Sequence, residues 1–335
     1  MRRLCRAGFI LAGLLFAAAV FSFPEPYALF KLAAWFALAV CAGRYAPPRF
    51  VLGSLAGLGI LEALLDFFQF ATHKSLGLSF LGEPALGPLN GAVARTFVHG
   101  GRLMRAYGTF PHPNILAAFL VLSLVAWAHF FLARRRTVVS VLGIFIVLLG
   151  LLLTFSRSGW IAACVATLIV LADARTRVPA RAKELFLVLA VSCASLALIF
   201  PWAVVPRLSV GAGDYAVTGR VSGYEAAFPR IGSHPLFGGG LTLRMGSDPV
   251  HSLYLMIADE LGFFGLAVFL LLVGSALMRG ARRKTSEFAA FSAMLAALLT
   301  MGVTDHFLWT LRPGIAMLFL VIGMLAFSDN VPSHS

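Results

Sequence analysis

Three stretches of this 335-residue chain carry residue types at spacings that could do chemistry. The most ordered is His251-Ser252, nine further residues, then Gly262-Phe263-Phe264-Gly265. At about 100° per residue, Gly262 falls roughly 20° from the His251 face of a helix and Gly265 roughly 40° from it on the other side. Small residues on one stripe let a neighbouring helix approach closely. The spacing therefore predicts a helix packed through Gly262 and Gly265, with an imidazole held at its mouth. Such an imidazole titrates near neutrality and can serve as a general base. The alternative is a capping histidine above ordinary glycine packing.

The second stretch is Thr154-Phe155-Ser156-Arg157-Ser158-Gly159-Trp160, a tight turn between two apolar runs. An arginine at mid-depth in a bilayer costs roughly 2.5–3.5 kcal/mol. Arg157 could hold a phosphate through charge-assisted hydrogen bonds, or snorkel to the interface and cap the turn. The third stretch is Gly219-Arg220-Val221-Ser222-Gly223-Tyr224-Glu225, followed by His234-Pro235-Leu236-Phe237-Gly238-Gly239-Gly240. Arg220 reads as part of a short helix, and the glycines permit close backbone approach to a ligand. The alternative is a surface arginine paired with Glu225 in a glycine-rich turn.

Several chemistries lack their usual signatures. The chain has no H-E-x-x-H zinc helix, no Walker A loop and no G-x-S-x-G elbow, so metalloproteolysis, ATP hydrolysis and serine hydrolysis lose support. The cysteines Cys5, Cys41, Cys164 and Cys193 lie in or beside apolar runs without metal-like spacing and read as small hydrophobes. A transporter would place ionisable groups at mid-membrane in two matching halves. Glu62, Asp66, Asp259 and Glu260 could be such groups, but no matching halves are visible.

The elements that must position these residues follow from composition. The chain is 60% hydrophobic and 12% charged, half the charged share of about a quarter typical of soluble domains. Its mean hydropathy is +0.90. Apolar runs recur at about 7–23, 27–43, 50–70, 114–132, 138–155, 159–172, 184–200, 253–277, 286–304 and 313–327, near the length of roughly 20 residues that a bilayer core demands of a helix. The sequence thus predicts an all-α polytopic membrane protein with about ten transmembrane helices. The net charge of +13 sits in short clusters between these runs, so it is read as setting topology rather than binding nucleic acid.

One alternating set of short loops holds 16 of the 27 basic residues, which puts both termini in the cytoplasm by the positive-inside rule. The organisation reads as helices over 1–70, an outward loop over 71–113, helices over 114–200, a larger and partly helical outward loop over 201–252, and helices with a tail over 253–335. Loops this long in a compact protein are usually functional or disordered. Six of the eight histidines, His73, His99, His112, His234, His251 and His306, fall on the outward side among arginines.

Taken together, these residues resemble the O-antigen ligase family, which also embraces O-antigen polymerases and protein O-oligosaccharyltransferases. The family pattern His-[Asn/Ser/Gln]-x9-Gly-x-x-Gly is met by His251, Ser252, Gly262 and Gly265. Ser156-Arg157-Ser158 is similar to the family's Ser-Arg turn. Arg220 before His234-Pro235-Leu236-Phe237-Gly238 resembles its outer-loop arginine and His-Pro-Leu-x-Gly stretch, and Gly108-Thr109-Phe110-Pro111-His112-Pro113-Asn114 resembles the approach to the following span. The resemblance covers about residues 105 to 312. Two features depart from well-known ligases: the chain has fewer spans, and Ser252 stands where Asn is most frequent.

The resemblance implies an inverting, metal-independent glycosyltransferase of the bacterial inner membrane, acting on the periplasmic side without a cofactor. The implied donor is an undecaprenyl-pyrophosphate-linked glycan. The implied acceptor is a sugar of the lipid A-core type in lipopolysaccharide biosynthesis, another lipid-linked repeat for a polymerase, or a protein glycan acceptor. It places Arg157 and Arg220 on the donor pyrophosphate and His251 at the acceptor hydroxyl. Asp305 corresponds to an outer-loop aspartate of the family, and Arg105, His112 and Tyr224 are supporting candidates. A transporter for a lipid-linked anion is the non-enzyme alternative.

Overall fold

The structure is a computed structural model that describes residues 26–87, 90, 93–98, 101–133, 137–208, 215–240 and 250–328. The span read at 7–23, the basic residues Arg2, Arg3, Arg6, Arg134, Arg135, Arg136 and Arg244, and His99 lie outside these residues. The described elements are helices α1 (Pro26–Tyr45) and α2 (Pro48–Thr72), a 3-10 turn (Ser79–Leu81), and strands β1 (Arg95–Val98) and β2 (Gly101–Met104). Helices α3 (Pro113–Leu132), α4 (Thr137–Leu153), α5 (Arg157–Arg177), α6 (Pro179–Ile199), α7 (Pro201–Leu208) and α8 (Tyr215–Ser233) follow. The chain then runs through α9 (Leu253–Arg282), α10 (Ser286–Gly302), the single turn α11 (Phe307–Thr310) and α12 (Arg312–Phe327).

The nine spans read between 27 and 327 each fall on a helix. Of these, α2, α3, α5, α6 and α9 are long and apolar enough to cross a bilayer, and α4, α10 and α12 are shorter apolar helices. The protein is an all-α polytopic membrane protein. Helix starts follow local chemistry: proline, whose fixed φ suits the first turn, opens α3, α6 and α12. Ser156 and Ser252 cap α5 and α9 through their side-chain oxygens, which satisfies a backbone N–H left over at the helix start.

The chain divides into two compact units. One comprises Arg49–Gly211 with Ala296–Met301. At its centre α3, buried along most of its length, packs against α4, α5 and α6. Trp127 on α3 donates its indole N–H to the Ala56 carbonyl of α2 at 3.1 Å. The segment after α2 contains the short β1–β2 hairpin and is tied down by carboxylate and amide groups of α2. Gln69 accepts from the Tyr107 and Gly108 amides and donates to Glu83, whose oxygens accept from the Leu76 and Leu78 amides. Glu62 accepts from the Thr109 amide and hydroxyl. A residue considered above for transport therefore anchors a loop.

The other unit comprises Met1–Pro48, Ala212–Leu295 and Gly302–Ser335. Helix α1 crosses α12 closely, Gly43 lying on the Gly323 carbonyl and Gly323 on Ala39, a small-residue crossing that suits helices in lipid. Helix α9 packs against α8, α11 and α12.

Candidate functional site

Helix α9 is not the continuous rod that the His251 spacing suggested. Gly262 has φ 69° and ψ −175°, so the helix stops after Leu261 and restarts at Phe263. A break of this kind frees backbone groups that need partners, and the segment after α8 supplies them. The Gly239 amide donates to the Asp259 carbonyl at 2.8 Å and the Gly240 amide to the Glu260 carbonyl at 3.0 Å. In the other direction, the Phe263 amide donates to Pro235 at 2.8 Å and the Phe264 amide to Leu236 at 3.2 Å. The Gly-x-x-Gly and His-Pro-Leu-Phe-Gly-Gly-Gly motifs are thus two halves of one interlock. Gly265 serves the break: a Cβ there would collide with the Leu261 side chain. The two glycines do not extend a stripe down a straight helix, because Gly262 leaves the helical region.

A second tie fixes the same parts. Arg230 on α8 grips the Asp259 carboxylate through Nε at 2.9 Å and Nη2 at 2.9 Å. Glu260 accepts the Trp309 indole N–H at 2.6 Å, joining α9 to α11. Asp259 and Glu260, also weighed for transport, are committed to these ties.

At the mouth held in this way stand the expected base and its neighbours. His251 precedes Ser252, the cap of α9. The Tyr224 hydroxyl on α8 donates to the His251 carbonyl at 3.0 Å, with the Val303 carbonyl at 3.4 Å. The His251 and His306 rings lie 5.4 Å apart between centroids. A nitrogen from each ring and a carboxylate oxygen of Asp305 fall within 4.8 Å of one another, a set that could also hold a divalent cation. Asp305 is oriented by the His306 and Phe307 amides, which donate to its Oδ1 at 2.8 and 3.3 Å. Burial pushes the Tyr224 hydroxyl above the usual tyrosine range; Arg220 opposes this and Asp305 adds to it, so both charges act on that hydroxyl. Among the described residues Arg220 makes no ion pair, with Glu225 or otherwise. Arg220 and Tyr224 on α8, His251 and Asp305, drawn from three separate stretches of the chain, belong to one unit. His306 joins them; sequence reasoning placed it among the outward histidines, directly after Asp305, but gave it no role in the site.

The remaining candidates belong to the unit built around α3. Phe155 sits in the left-handed region, φ 50°, between α4 and α5, a conformation uncommon for a bulky residue. Its ring is buried near Phe70 and Trp202. Arg157 is the first residue of α5 and donates from Nε to the Arg207 carbonyl at 3.1 Å. Arg105 donates to the Thr154 carbonyl and to Asn114 Oδ1, each at 2.7 Å, and Ser156 donates to the same Asn114 oxygen at 3.1 Å. His112 caps α3, its Nδ1 accepting from the Asn114 amide at 3.1 Å. Arg105 and His112 therefore meet at Asn114 beside the Ser156–Arg157 turn.

A cation at the start of α5 faces the positive end of the helix dipole, which disfavours it.

Comparison with known proteins bears on this arrangement. The family described as O-Antigen ligase matches residues 142–270, a stretch that includes Arg157, Arg220, His251, Gly262 and Gly265. No curated protein matches the chain. A solved structure, "Structural coordination of polymerization and crosslinking by a peptidoglycan synthase complex", is similar at 16% identity over 96% of each chain, with a TM-score of 0.47. Over residues 142–270, then, this membrane protein is similar to the O-antigen ligase family.

Proposed function

We propose that the protein is an inverting, metal-independent glycosyltransferase of the bacterial inner membrane. It moves a glycan from undecaprenyl pyrophosphate to a hydroxyl of an acceptor sugar of the lipid A-core type, with both termini cytoplasmic and the chemistry periplasmic. The observation that carries the reading is the assembly of His251, Asp305 and Tyr224 at the fixed mouth of α9, with Arg220 one turn before Tyr224 on α8, in a chain whose residues 142–270 match the ligase family.

The chemistry needs little more. The donor already holds an activated leaving group, so no nucleotide is consumed. As the acceptor oxygen bonds to the anomeric carbon, the bond from that carbon to the pyrophosphate breaks on the opposite face, which inverts the centre. His251 takes the proton of the acceptor hydroxyl. Arg220 offsets the charge that develops on the departing pyrophosphate, as a planar guanidinium does well. The resemblance assigns the same task to Arg157, and its place at the first turn of α5 supports an anion there. Tyr224 holds the backbone of His251, and Asp305 steadies the imidazolium that forms.

The test is transfer by purified protein in liposomes, with a polyprenyl-diphosphate glycan and a lipid-linked acceptor. His251→Ala is expected to lose about 10²–10⁴-fold in turnover, the usual share of a general base, while still binding donor. Removing one charge partner from a transition state costs about 2.7–4 kcal/mol, and Arg220→Ala is expected to lose activity in that range. Full transfer by His251→Ala retires the reading. Incubation with donor alone separates ligase from polymerase, since only a polymerase then makes a ladder of longer chains.

A further inference from the structure

His306 shares the mouth of α9 with His251, yet the chemistry above gives it no part. Its hydrogen bonds are compatible with a tautomer that leaves Nε2 unprotonated. Thr310 Oγ1 lies 2.6 Å from His306 Nδ1 and also donates to the His306 carbonyl at 3.2 Å. A hydroxyl has one hydrogen to give. In the arrangement with that hydrogen on the carbonyl, Oγ1 accepts from Nδ1, which then carries the proton while Nε2 keeps the lone pair. Asp305, on the same turn, is held by two backbone amides. The charged and titratable groups at the two imidazoles are Asp305 on the turn and each other, and Tyr224 of α8 bonds the His251 carbonyl. Burial lowers the His306 pKa, Asp305 opposes this and His251 adds to it.

We propose that His306 is a positioning residue for His251: its Nε2 lone pair and the Asp305 carboxylate face the His251 ring and receive its N–H. The other His251 nitrogen is then left without a proton and turned to the acceptor alcohol. The approach of the three groups, within 4.8 Å, is one that a single bridging water or a small ring rotation closes. When His251 takes the alcohol proton, the resulting imidazolium keeps its second N–H on His306 and Asp305, and no proton has to leave the pair during transfer. This inference rests on His251 being the base.

Two substitutions separate this role from a structural one. Asparagine can place its amide nitrogen where Nδ1 stands, keeping Thr310, but has nothing at the Nε2 position. Glutamine reaches the Nε2 position with an acceptor oxygen. A misplacement of about 1 Å costs roughly a hundredfold in rate, so His306→Asn is expected to lose about 10–100-fold in kcat with KM within about twofold. His306→Gln is expected to recover most of that loss. Thr310→Val, which frees the tautomer while leaving both imidazoles, is expected to lower kcat in the same direction and serves if the His306 variants fail to fold.

Wild-type kcat in His306→Asn or Thr310→Val beside an inactive His251→Ala overturns this inference alone. So does equal loss in the Asn and Gln variants with a raised KM. Full activity of His251→Ala instead overturns the reading on which the inference rests.

Discussion

Gly238 and Gly262 sit at a crossing of two backbones, and a side chain on either would run into the main chain that leads to the other. A Cβ on Gly262 meets the Leu236–Phe237 peptide, and one on Gly238 meets the Glu260–Leu261 peptide. Both have φ near 70°, a region that costs a non-glycine residue roughly 1–2 kcal/mol. Gly262→Ala is therefore expected to lower the thermal midpoint of the purified protein and to loosen the mouth of α9. Gly274→Ala is the control. It lies in the same helix with open space around it, and alanine there should gain up to about 1 kcal/mol from helix propensity. A Gly262→Ala protein as stable as wild type would contradict the interlock.

The Arg230–Asp259 pair makes a second prediction. Asp259 is 9% exposed and Arg230 23%, so removing one partner leaves a largely buried charge behind. Fully buried pairs cost about 3–5 kcal/mol when broken from one side, and the exposure of Arg230 reduces that here. Asp259→Leu and Arg230→Met are each expected to destabilise, and the double variant to regain a good part of the loss. Additive losses in a denaturation cycle would show that the pair is not coupled.

The spans were legible in the sequence because a bilayer imposes one rule on every helix that crosses it, a run of about 20 apolar residues. Hence 114–132 anticipated α3 almost to the residue. The break in α9 was not legible. Periodicity locates glycines on a face but carries nothing about the sign of φ, so Gly262 read as a packing residue. The pairing of its freed groups with residues 235–240 is a contact between segments, which no local pattern records. The same holds for His306. Its chemistry arises from Thr310 one turn later and from His251, 55 positions earlier in the chain. Arg157 and Arg220 stood out because charge is rare in this composition and because the motifs that carry them resemble those of the ligase family.

Asn114 is expected to matter more than its type suggests. One carboxamide oxygen accepts from both Arg105 and Ser156, and Ser156 is the cap that sets the first turn of α5. Asn114→Leu leaves a part-buried guanidinium short of an acceptor and loosens the turn that carries Arg157. If Arg157 binds the donor pyrophosphate, the variant should raise the KM for donor several-fold while leaving the KM for acceptor unchanged. A change confined to the acceptor would place Arg157 elsewhere in the reaction.

Metal dependence can be settled by chelation. Two imidazoles and a carboxylate within 4.8 Å are a set that transition metals use, but a ligated His251 could not accept a proton. Transfer in excess EDTA is expected to equal the untreated rate. Loss of transfer, restored by Zn²⁺ or Mg²⁺, would replace general-base chemistry with metal-assisted chemistry at the same three residues.

Stability should depend on pH through His306. Burial holds its imidazole pKa below the ordinary value of about 6.5. Between that value and the lower folded one, the unfolded chain binds more protons at this site than the folded chain. Stability then rises with pH across the window and is lost on acidification from about 6.5 downward. Scans of the thermal midpoint from about pH 7.5 to 5 are expected to fall less steeply for His306→Gln, which has no titrating group, than for wild type. A slope unchanged by the substitution would mean that His306 is as easily protonated in the folded protein as in the unfolded chain, the carboxylate of Asp305 then offsetting burial at this position.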